Sequence, residues 1–376
     1  MVMPYQMLVD AVRGRAPIIL GEHIRDDQFQ PATIDLRLGD TIHAIGASFL
    51  PRPGISVADY IGKVSQYSFH LSRDKTHHLD VGKTYIVPLA ESCAFPDQTR
   101  MFFSPKSSTG RNDVFVRVLV ESYPHFDRTP WGFRGGLWLE ITPRSFHVGI
   151  RAGQCLVQGR VKTRESHTLT TDELLRAHTK YGIVFDSFGK PLDKLRAEDG
   201  KLHFHLDLQR DIVGFRAKRP VSKQLDFSVS SDTYQPRAFW HPIPRPEEGH
   251  IVLNPGDFYL LATAELIRLP SQYCGELMPY DPTAGEFRAH SAGFFDNGFG
   301  GKFGTTGVLE VRENALPFAV EHGQPVCAMA FEQTFEVPER LYGAEGSSYT
   351  QSGPSLSKQF SHRYDAWTFA YWASKL

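Results

Sequence analysis

One loop of the chain has the residue types that a phosphate group requires. Residues 104–111 read Ser-Pro-Lys-Ser-Ser-Thr-Gly-Arg. A triphosphate carries several negative charges, which Lys and Arg can neutralise with charge-assisted hydrogen bonds, while Ser hydroxyls and loop N–H groups add neutral donors. We interpret Lys106, Ser107, Ser108 and Arg111 as an anion-binding set. A solvated turn with a serine cap is the structural alternative.

A second segment sets a carboxylate among large apolar residues. Residues 136–141 read Gly-Leu-Trp-Leu-Glu-Ile, and the Leu-Glu pair returns at Leu309 and Glu310. A desolvated glutamate has a raised pKa, so it can take a proton from water near neutral pH and return it to a leaving group. Glu140 and Glu310 are therefore candidate proton shuttles, unless they point outward from an edge strand.

The elements that must position these residues are mostly strands. The chain has 32 glycines and 25 prolines between short runs rich in Val, Ile, Phe, Tyr and Leu, which is typical of many short strands joined by turns. Helical periodicity is convincing at residues 6–13 and 171–178, where Thr170 or Thr171 can cap the helix. The sequence predicts a mainly β fold with few short helices.

An internal repeat divides the chain. Residues 79–85 reappear as residues 253–259, an offset of 174 that also relates Pro105 to Pro279. Further on, Leu139-Glu140 matches Leu309-Glu310 at an offset of 170. A fixed period of this kind indicates repeated structural units. We predict a first module at 1–162, a linker with a short helix at 163–200, and a second module at 201–376.

Composition argues against several partners. Lys plus Arg number 41 and Asp plus Glu 42, so no global basic field is available for a nucleic acid. No apolar run is long enough to span a membrane, and we expect a cytoplasmic protein. The four cysteines are far apart and form no C-x-x-C pair, so we predict no metal site in the protein.

Four motifs, in the same order, resemble those of the dCTP deaminase family. Residues 30–39, Gln-Pro-Ala-Thr-Ile-Asp-Leu-Arg-Leu-Gly, resemble its Q-P-A-S-x-D-L-R-L-G segment, and residues 106–111 resemble its R-S-S-x-x-R loop. Phe126-Asp127 with residues 132–140 resembles the stretch I-D-P-G-W-x-G-x-x-x-L-E. Residues 348–358 resemble the tail that closes over bound nucleotide, with Ser348 where a phosphate-binding Lys is usual.

The resemblance implies two tandem dUTPase-like distorted β-barrel (β-clip) modules and hydrolytic deamination of dCTP to dUTP and ammonia. No cofactor is implied for the chemical step, although Mg²⁺ can accompany the nucleotide triphosphate. Glu would activate water towards C4 of cytosine and Arg111 would polarise the site. The catalytic set is Glu140, Arg111, Ser107 and Glu310, and the substrate-binding set is Lys106, Ser108, Asp127, Ala292, Asp296, Tyr349 and Gln351.

Sites of this superfamily lie between neighbouring modules, so we expect a homo-oligomer, with a trimer favoured. A ring of first modules would set the loop 106–111 against Glu140, whereas adjacent first and second modules would set it against Asp296 and Glu310. Symmetry favours Glu140 and motif quality favours Glu310, because the second copy keeps residues 291–300 and the tail. We prefer Glu140 and retain both.

Two other functions fit the same motifs. The first is a dUTPase, or an enzyme that performs both steps, in which water attacks a phosphorus beside Mg²⁺. The second is a nucleotide-binding regulator without activity, because the loop at 280–285 of the second copy lacks the serines and the arginine.

Overall fold

The structure is a computed structural model that describes residues 1–219, 221, 223–279, 293–312, 316–344 and 353–361. It contains two β-rich units, which we call unit one (residues 1–163) and unit two (residues 169–361). Within the described residues, helices are few and short, so the mainly β prediction is confirmed. No helix in these ranges is long and apolar enough to cross a membrane.

Unit one is built on two main sheets. Its described helices are α1 (Tyr5–Arg13), α2 (Val57–Val64) and α3 (Ser107–Gly110). Its strands are β1 (Ile19–Leu20), β2 (Ile34–Arg37), β3 (Thr41–Ile45), β4 (Ser65–His70), β5 (His77–Leu79), β6 (Thr84–Ala94), β7 (Thr99–Pro105), β8 (Val114–Val120), β9 (Arg134–Pro143), β10 (Val148–Ile150) and β11 (Cys155–Thr163). One sheet has the order β4-β3-β6-β9-β8, and a second has the order β2-β11-β7.

Unit two begins with helix α4 (Thr171–Tyr181). Thr170 and Glu173 form a capping box at the N-terminus of this helix. The strands of unit two are β12 (Val184–Phe185), β13 (Ala197–Glu198), β14 (Lys201–His205), β15 (Ile212–Ala217), β16 (Leu225–Asp226), β17 (Trp240–Pro244), β18 (His250–Leu253), β19 (Phe258–Ile267), β20 (Tyr273–Pro279), β21 (Phe294–Phe295), β22 (Thr305–Arg312), β23 (Phe318–Glu321) and β24 (Pro325–Gln333). Its sheets have the orders β12-β19-β15-β17, with β22 on β19, and β13-β14-β24-β20-β21.

The two units share strand pairings and register. Tyr85 pairs with Ile141 in unit one, and Tyr259 pairs with Val311 in unit two, at the sequence offsets of 174 and 170. The pairs Thr99–Thr163 and Tyr273–Gln333 follow the same rule. Each unit has its own apolar core, because alternate residues of these strands point inward. Equivalent sequence positions therefore occupy equivalent places.

The segment expected to be a linker packs with unit two. Leu169, Leu174 and Ala177 are buried in the unit-two core, and α4 opens unit two as α1 opens unit one. The apolar face of α4 supplies the physical reason, because a helix with such a stripe is stabilised by burying it. The part of 163–200 that packs in this core is thus structural, and it does not act as a spacer.

The units are joined by buried polar contacts and by a shared sheet. Strand β16 of unit two pairs in parallel with β10 of unit one. The Arg312 guanidinium pairs with the fully buried Asp113 carboxylate, with Nε 3.2 Å from Oδ1, and Lys162 Nζ lies 2.6 Å from Glu332 Oε2. Because buried charges require partners, these pairs fix how the units face one another.

Candidate functional site

A cavity of about 620 Å³ lies between the two units. It is large enough for a small-molecule ligand, since ligand pockets commonly measure roughly 300–1,000 Å³. Unit one supplies the predicted anion-binding loop and unit two supplies two predicted carboxylates. The site residues predicted from the sequence that line it are Lys106, Ser107, Ser108, Arg111, Asp296 and Glu310.

The anion-binding loop is held in place by strand β11. It follows β7 directly and forms the single turn α3, with Lys106 in extended backbone just before it. The Lys106 N–H and the Thr109 hydroxyl both donate to the Leu156 carbonyl, at 3.0 and 2.8 Å. Buried Thr109 thus anchors the turn, while Ser107 remains exposed and Ser108 half-buried beside the cavity.

Lys106 forms an ion pair with Asp35, which belongs to the motif at 30–39. The side chain of Asp35 is 4% exposed and that of Lys106 is 26% exposed, so the pair is largely shielded from water. Burial alone would lower the pKa of Lys106, but the charge and hydrogen bond of Asp35 outweigh it and raise that pKa. Lys106 therefore carries its positive charge into the cavity at neutral pH.

Glu310 presents its carboxylate to the backbone of the same loop. It lies on β22, opposite Leu260 of β19. A Cβ atom added to Gly110 would overlap the Glu310 carboxylate, so the two chain segments are in close contact. Glycine is needed at position 110 for this approach rather than for an unusual φ angle. The loop of unit one and the carboxylate of unit two thus meet directly.

Asp296 follows β21 and is buried at the same junction. Thr33 Oγ1 donates to its Oδ2 at 3.2 Å, and Arg160 Nη2 donates to its Oδ1 at 3.3 Å. Burial raises the pKa of Asp296 above its ordinary value, while Arg160 and Thr33 act in the opposite direction. Both contacting residues come from unit one.

The C-terminal segment 353–361 lies against the anion-binding loop. Arg111 Nη1 donates to the Ser355 carbonyl at 3.0 Å and to its hydroxyl at 2.5 Å. Thr306, which also lines the cavity, accepts a hydrogen bond from the Gly353 N–H at 2.7 Å. Lys358 lines the cavity, and burial and then the charge of Lys106 lower its pKa. A second lysine therefore stands near Lys106.

The structure does not bring Glu140 and Asp127 to this cavity. Glu140 is buried in β9, where it accepts a hydrogen bond of 2.5 Å from Ser48 and lies 3.9 Å from Arg117 Nε. Asp127 accepts a hydrogen bond from the Val118 N–H, and burial raises its pKa to about 7. The preference for Glu140 over Glu310 is therefore not supported within one chain, because the loop of unit one faces unit two.

Three predicted site residues, Ala292, Tyr349 and Gln351, lie outside the described residues. Sequence reasoning missed Thr33, Asp35, Arg160 and Lys358. The first two stand inside the quoted motif at 30–39, which could have singled them out, whereas Arg160 carries no sequence signal. Among the residues that the structure describes, no group of three or more His, Cys, Asp or Glu side chains could hold a metal ion.

These features define a class of protein: two similar β units that enclose one polar cleft, to which both units contribute charged side chains. The family model described as "2'-deoxycytidine 5'-triphosphate deaminase (DCD) N-terminal domain" matches residues 1–165, and the C-terminal domain model of that family matches residues 170–360. The chain therefore belongs to the dCTP deaminase family, and its fold is dUTPase-like.

A solved structure agrees over nearly the whole length. The 2'-deoxycytidine 5'-triphosphate deaminase from Agrobacterium tumefaciens is 34% identical, with a TM-score of 0.80, and the match covers 89% of this chain and 99% of that one. A protein named "dCTP deaminase, dUMP-forming" from Methanosphaera stadtmanae is 31% identical over 118 residues, which are 30% of this chain and 58% of that protein. A protein of the same name from Mycobacterium avium is 33% identical over 122 residues, 31% of this chain and 62% of that protein. This chain thus spans about 60% of the length of these curated relatives.

Proposed function

We propose that the chain deaminates dCTP by hydrolysis in the cleft between its two units. One observation carries the proposal: the anion-binding loop of unit one and the Glu310 carboxylate of unit two line the same cavity and contact each other at Gly110. A nucleotide needs both kinds of group, because its phosphates require cations and its base requires a proton shuttle.

Glu310 is the proton shuttle in this mechanism. It removes a proton from a water molecule as the water oxygen attacks C4 of cytosine, and passes that proton to N3 of the ring. It then moves the proton of the new C4 hydroxyl to the 4-amino group. The C4–N bond breaks, ammonia leaves, and C4 becomes a carbonyl carbon. The contact with Gly110 fixes the position of the carboxylate, so that the reacting groups are already aligned when the substrate binds.

The phosphates are assigned to the hydrogen-bond donors of the anion-binding loop and to Lys358. Lys106, Ser107 and Ser108 supply donors from the loop. Lys358 adds a cation at the cavity, which would compensate for Ser348, the residue that stands in the sequence of the tail in place of the usual Lys. Arg111 connects the loop to Ser355, which ties nucleotide binding to the position of the C-terminal segment. Mg²⁺ would bind to the phosphates of the nucleotide and would enter the cleft together with it.

A second candidate is a deaminase that also removes pyrophosphate and so forms dUMP. The relatives from Methanosphaera stadtmanae and Mycobacterium avium are both named as dUMP-forming, which favours this candidate. In that reaction a further water molecule attacks the α-phosphorus and pyrophosphate leaves. The same cleft would have to hold both reacting atoms, C4 of the base and the α-phosphorus, within reach of activated water.

The experiment supplies purified protein with dCTP and, separately, with dUTP and Mg²⁺, and follows ammonia and pyrophosphate. Ammonia with dUTP as product supports the deaminase, and ammonia with dUMP and pyrophosphate supports the second candidate. Pyrophosphate from dUTP without ammonia from dCTP indicates a dUTPase. Nucleotide binding without either product would leave only the regulator.

Two matched variants then test the shuttle. Glu310→Gln is expected to lower kcat by about 10²–10⁴-fold, because it removes a general base without changing the size of the side chain. Glu140→Gln makes the same change in the equivalent strand of unit one, where the carboxyl lies outside this cavity, and is expected to retain activity. Loss of activity in Glu140→Gln with retention in Glu310→Gln would reverse the assignment.

We retain a homo-oligomer, with a trimer favoured, and a cytoplasmic location as predictions. Size-exclusion chromatography with light scattering measures the first directly. A mass of 42.4 kDa, that of a single chain, would contradict it.

A further inference from the structure

Arg160 is the most completely buried cation at the junction of the two units. It belongs to β11 of unit one, its side chain is 0% exposed, and it donates hydrogen bonds to the Gly275 carbonyl at 2.9 Å and the Phe295 carbonyl at 3.2 Å. Its guanidinium lies 4.3 Å from the centre of the Phe294 ring. A charge buried this deeply is costly unless each contact is well made. Asp296 is its fourth partner, and all four partners belong to unit two.

The geometry points to Arg160, together with Thr33, as a positioning pair through which unit one holds the Asp296 carboxylate in place at the cavity. This inference rests on the proposed function, since it concerns the same nucleotide site. Arg160 holds one carboxylate oxygen of Asp296 and Thr33 holds the other, so the carboxylate cannot rotate freely. The arrangement makes the binding surface of unit two depend on side chains of unit one.

Comparison with unit one shows what the pair contributes. Phe133 and Phe299 occupy equivalent places, because their carbonyls accept hydrogen bonds from the N–H groups of Phe95 and Leu269. At the same offset of 166, the position of Asp296 is occupied in unit one by Pro130, so unit one has no carboxylate there. The position equivalent to Arg160 in unit two, at the offset of 170, is Ala330. A second copy of the pair therefore cannot form from unit two, and the Arg160 contact is specific to the site that unit one builds on unit two.

Several other charged groups lie near Arg160 and Asp296. Asp296 faces Arg160 from β11 and Asp35 from β2, and Asp35 acts to raise the pKa of Asp296. Arg160 in turn is near Cys274 and Glu276 of β20 and Glu332 of β24. Lys162 neutralises both of those glutamates, with Nζ 3.3 and 2.6 Å from their carboxylates. Arg160 is consequently the cation that contacts Asp296 directly among the described residues.

The test measures dCTP affinity by calorimetry across pH, using the full chain. Ionised Asp296 is an acceptor only, so binding that uses it is lost as the pH falls through its pKa. Replacing Arg160 by Lys keeps the positive charge but removes the guanidinium hydrogen bond to Asp296, which is one of the contacts that lower this pKa, and replacing it by Met removes the charge as well. We therefore expect Arg160→Lys to move the acidic midpoint of binding upward by roughly one pH unit, which is about tenfold weaker binding below that midpoint. Arg160→Met should move it further, and Thr33→Val less.

Controls separate this role from a structural one. Asp296→Asn should remove the acidic limb. Lys162→Gln loses ion pairs between the units without contacting Asp296, and should lower the thermal midpoint while leaving the pH midpoint unchanged. If Arg160→Met does not fold, the pH midpoints of Arg160→Lys and Thr33→Val are compared with that of the wild type instead. An unchanged pH midpoint in both would overturn the inference. Because the readout is binding, a wild type that binds dCTP but releases no ammonia would contradict the proposed function and leave this result interpretable.

Discussion

The contact between Gly110 and Glu310 makes Gly110→Ala a sharp test of the site. Alanine is acceptable to the backbone here, because the φ angle of Gly110 is not positive, and alanine favours a helical turn more than glycine does. The added methyl group would nevertheless overlap the Glu310 carboxylate, so either the loop or the glutamate must move. The substitution thus displaces the proposed proton shuttle without altering any group that does chemistry.

The expected magnitude follows from the geometry. Relieving the overlap requires a movement on the order of 1 Å, and a displacement of that size at a reacting centre costs roughly 100-fold in rate. Inserting a methyl group into a packed junction also costs about 1–3 kcal/mol of stability. We expect kcat/KM for dCTP to fall by about 100-fold, while the chain remains folded.

The assay is steady-state ammonia release, together with thermal denaturation. Gly62→Ala is the matched control: it lies in α2, a Cβ there has nothing within 4 Å, and the residue is exposed. That control should gain about 0.5–1 kcal/mol of stability with unchanged kcat/KM. If folded Gly110→Ala kept kcat/KM within about threefold of wild type, the position of Glu310 would not matter and the reasoning would fail.

Two further predictions concern buried charges away from the cavity. Burial raises the pKa of Asp127 to about 7, above its unfolded value of about 3.9, so the folded state binds more protons between these values and stability should fall by about 4 kcal/mol as pH rises from 4 to 7. Asp127→Asn should flatten this trend in urea denaturation, and a parallel pH dependence in both proteins would contradict it. Arg312→Met leaves Asp113 buried without its main cation and should cost about 3–5 kcal/mol, also by urea denaturation. A cost below about 1 kcal/mol would mean that the pair does not hold the units together.

Sequence alone predicted much of the fold because residues related by the sequence repeat occupy the same strand-pairing positions in both units. The predicted helix at 6–13 corresponds to α1, and the one at 171–178 corresponds to α4. Helix α2 was not predicted from the sequence. Ser56 and Asp59, three residues apart, form a capping box at its N-terminus, and this spacing is a visible signal in the sequence. Short helices inside a β pattern are easily overlooked, because periodicity needs several turns to become visible.

The site was only partly predictable, and the reason is physical. Lys106, Ser107, Ser108 and Arg111 are neighbours in sequence, so their clustering is visible in the order of the residues alone. Arg160 stands in a strand with no motif around it, and its partners are carbonyl groups and a carboxylate more than 100 residues away. Such contacts depend on how two units dock, which strand patterns within either unit do not encode.

The choice between Glu140 and Glu310 shows the same limit most clearly. Both glutamates occupy the same register position, opposite Ile86 and Leu260 respectively. The difference arises in the segments between equivalent strands. In unit one, the segment between β3 and β4 brings Ser48 onto Glu140, and its residues Val57 and Ile61 pack in one cluster with Ile86, the strand partner of Glu140.

In unit two, the segment between β15 and β17 instead carries β16, which pairs with β10 of unit one. One insertion therefore closes over its own glutamate, and the other extends to the neighbouring unit. Glu140 accepts a hydrogen bond from Ser48 and lies close to Arg117, whereas Glu310 lines the cavity between the units. Two identical residues at equivalent positions acquire different surroundings because the chain segments between the strands take different courses in the two units.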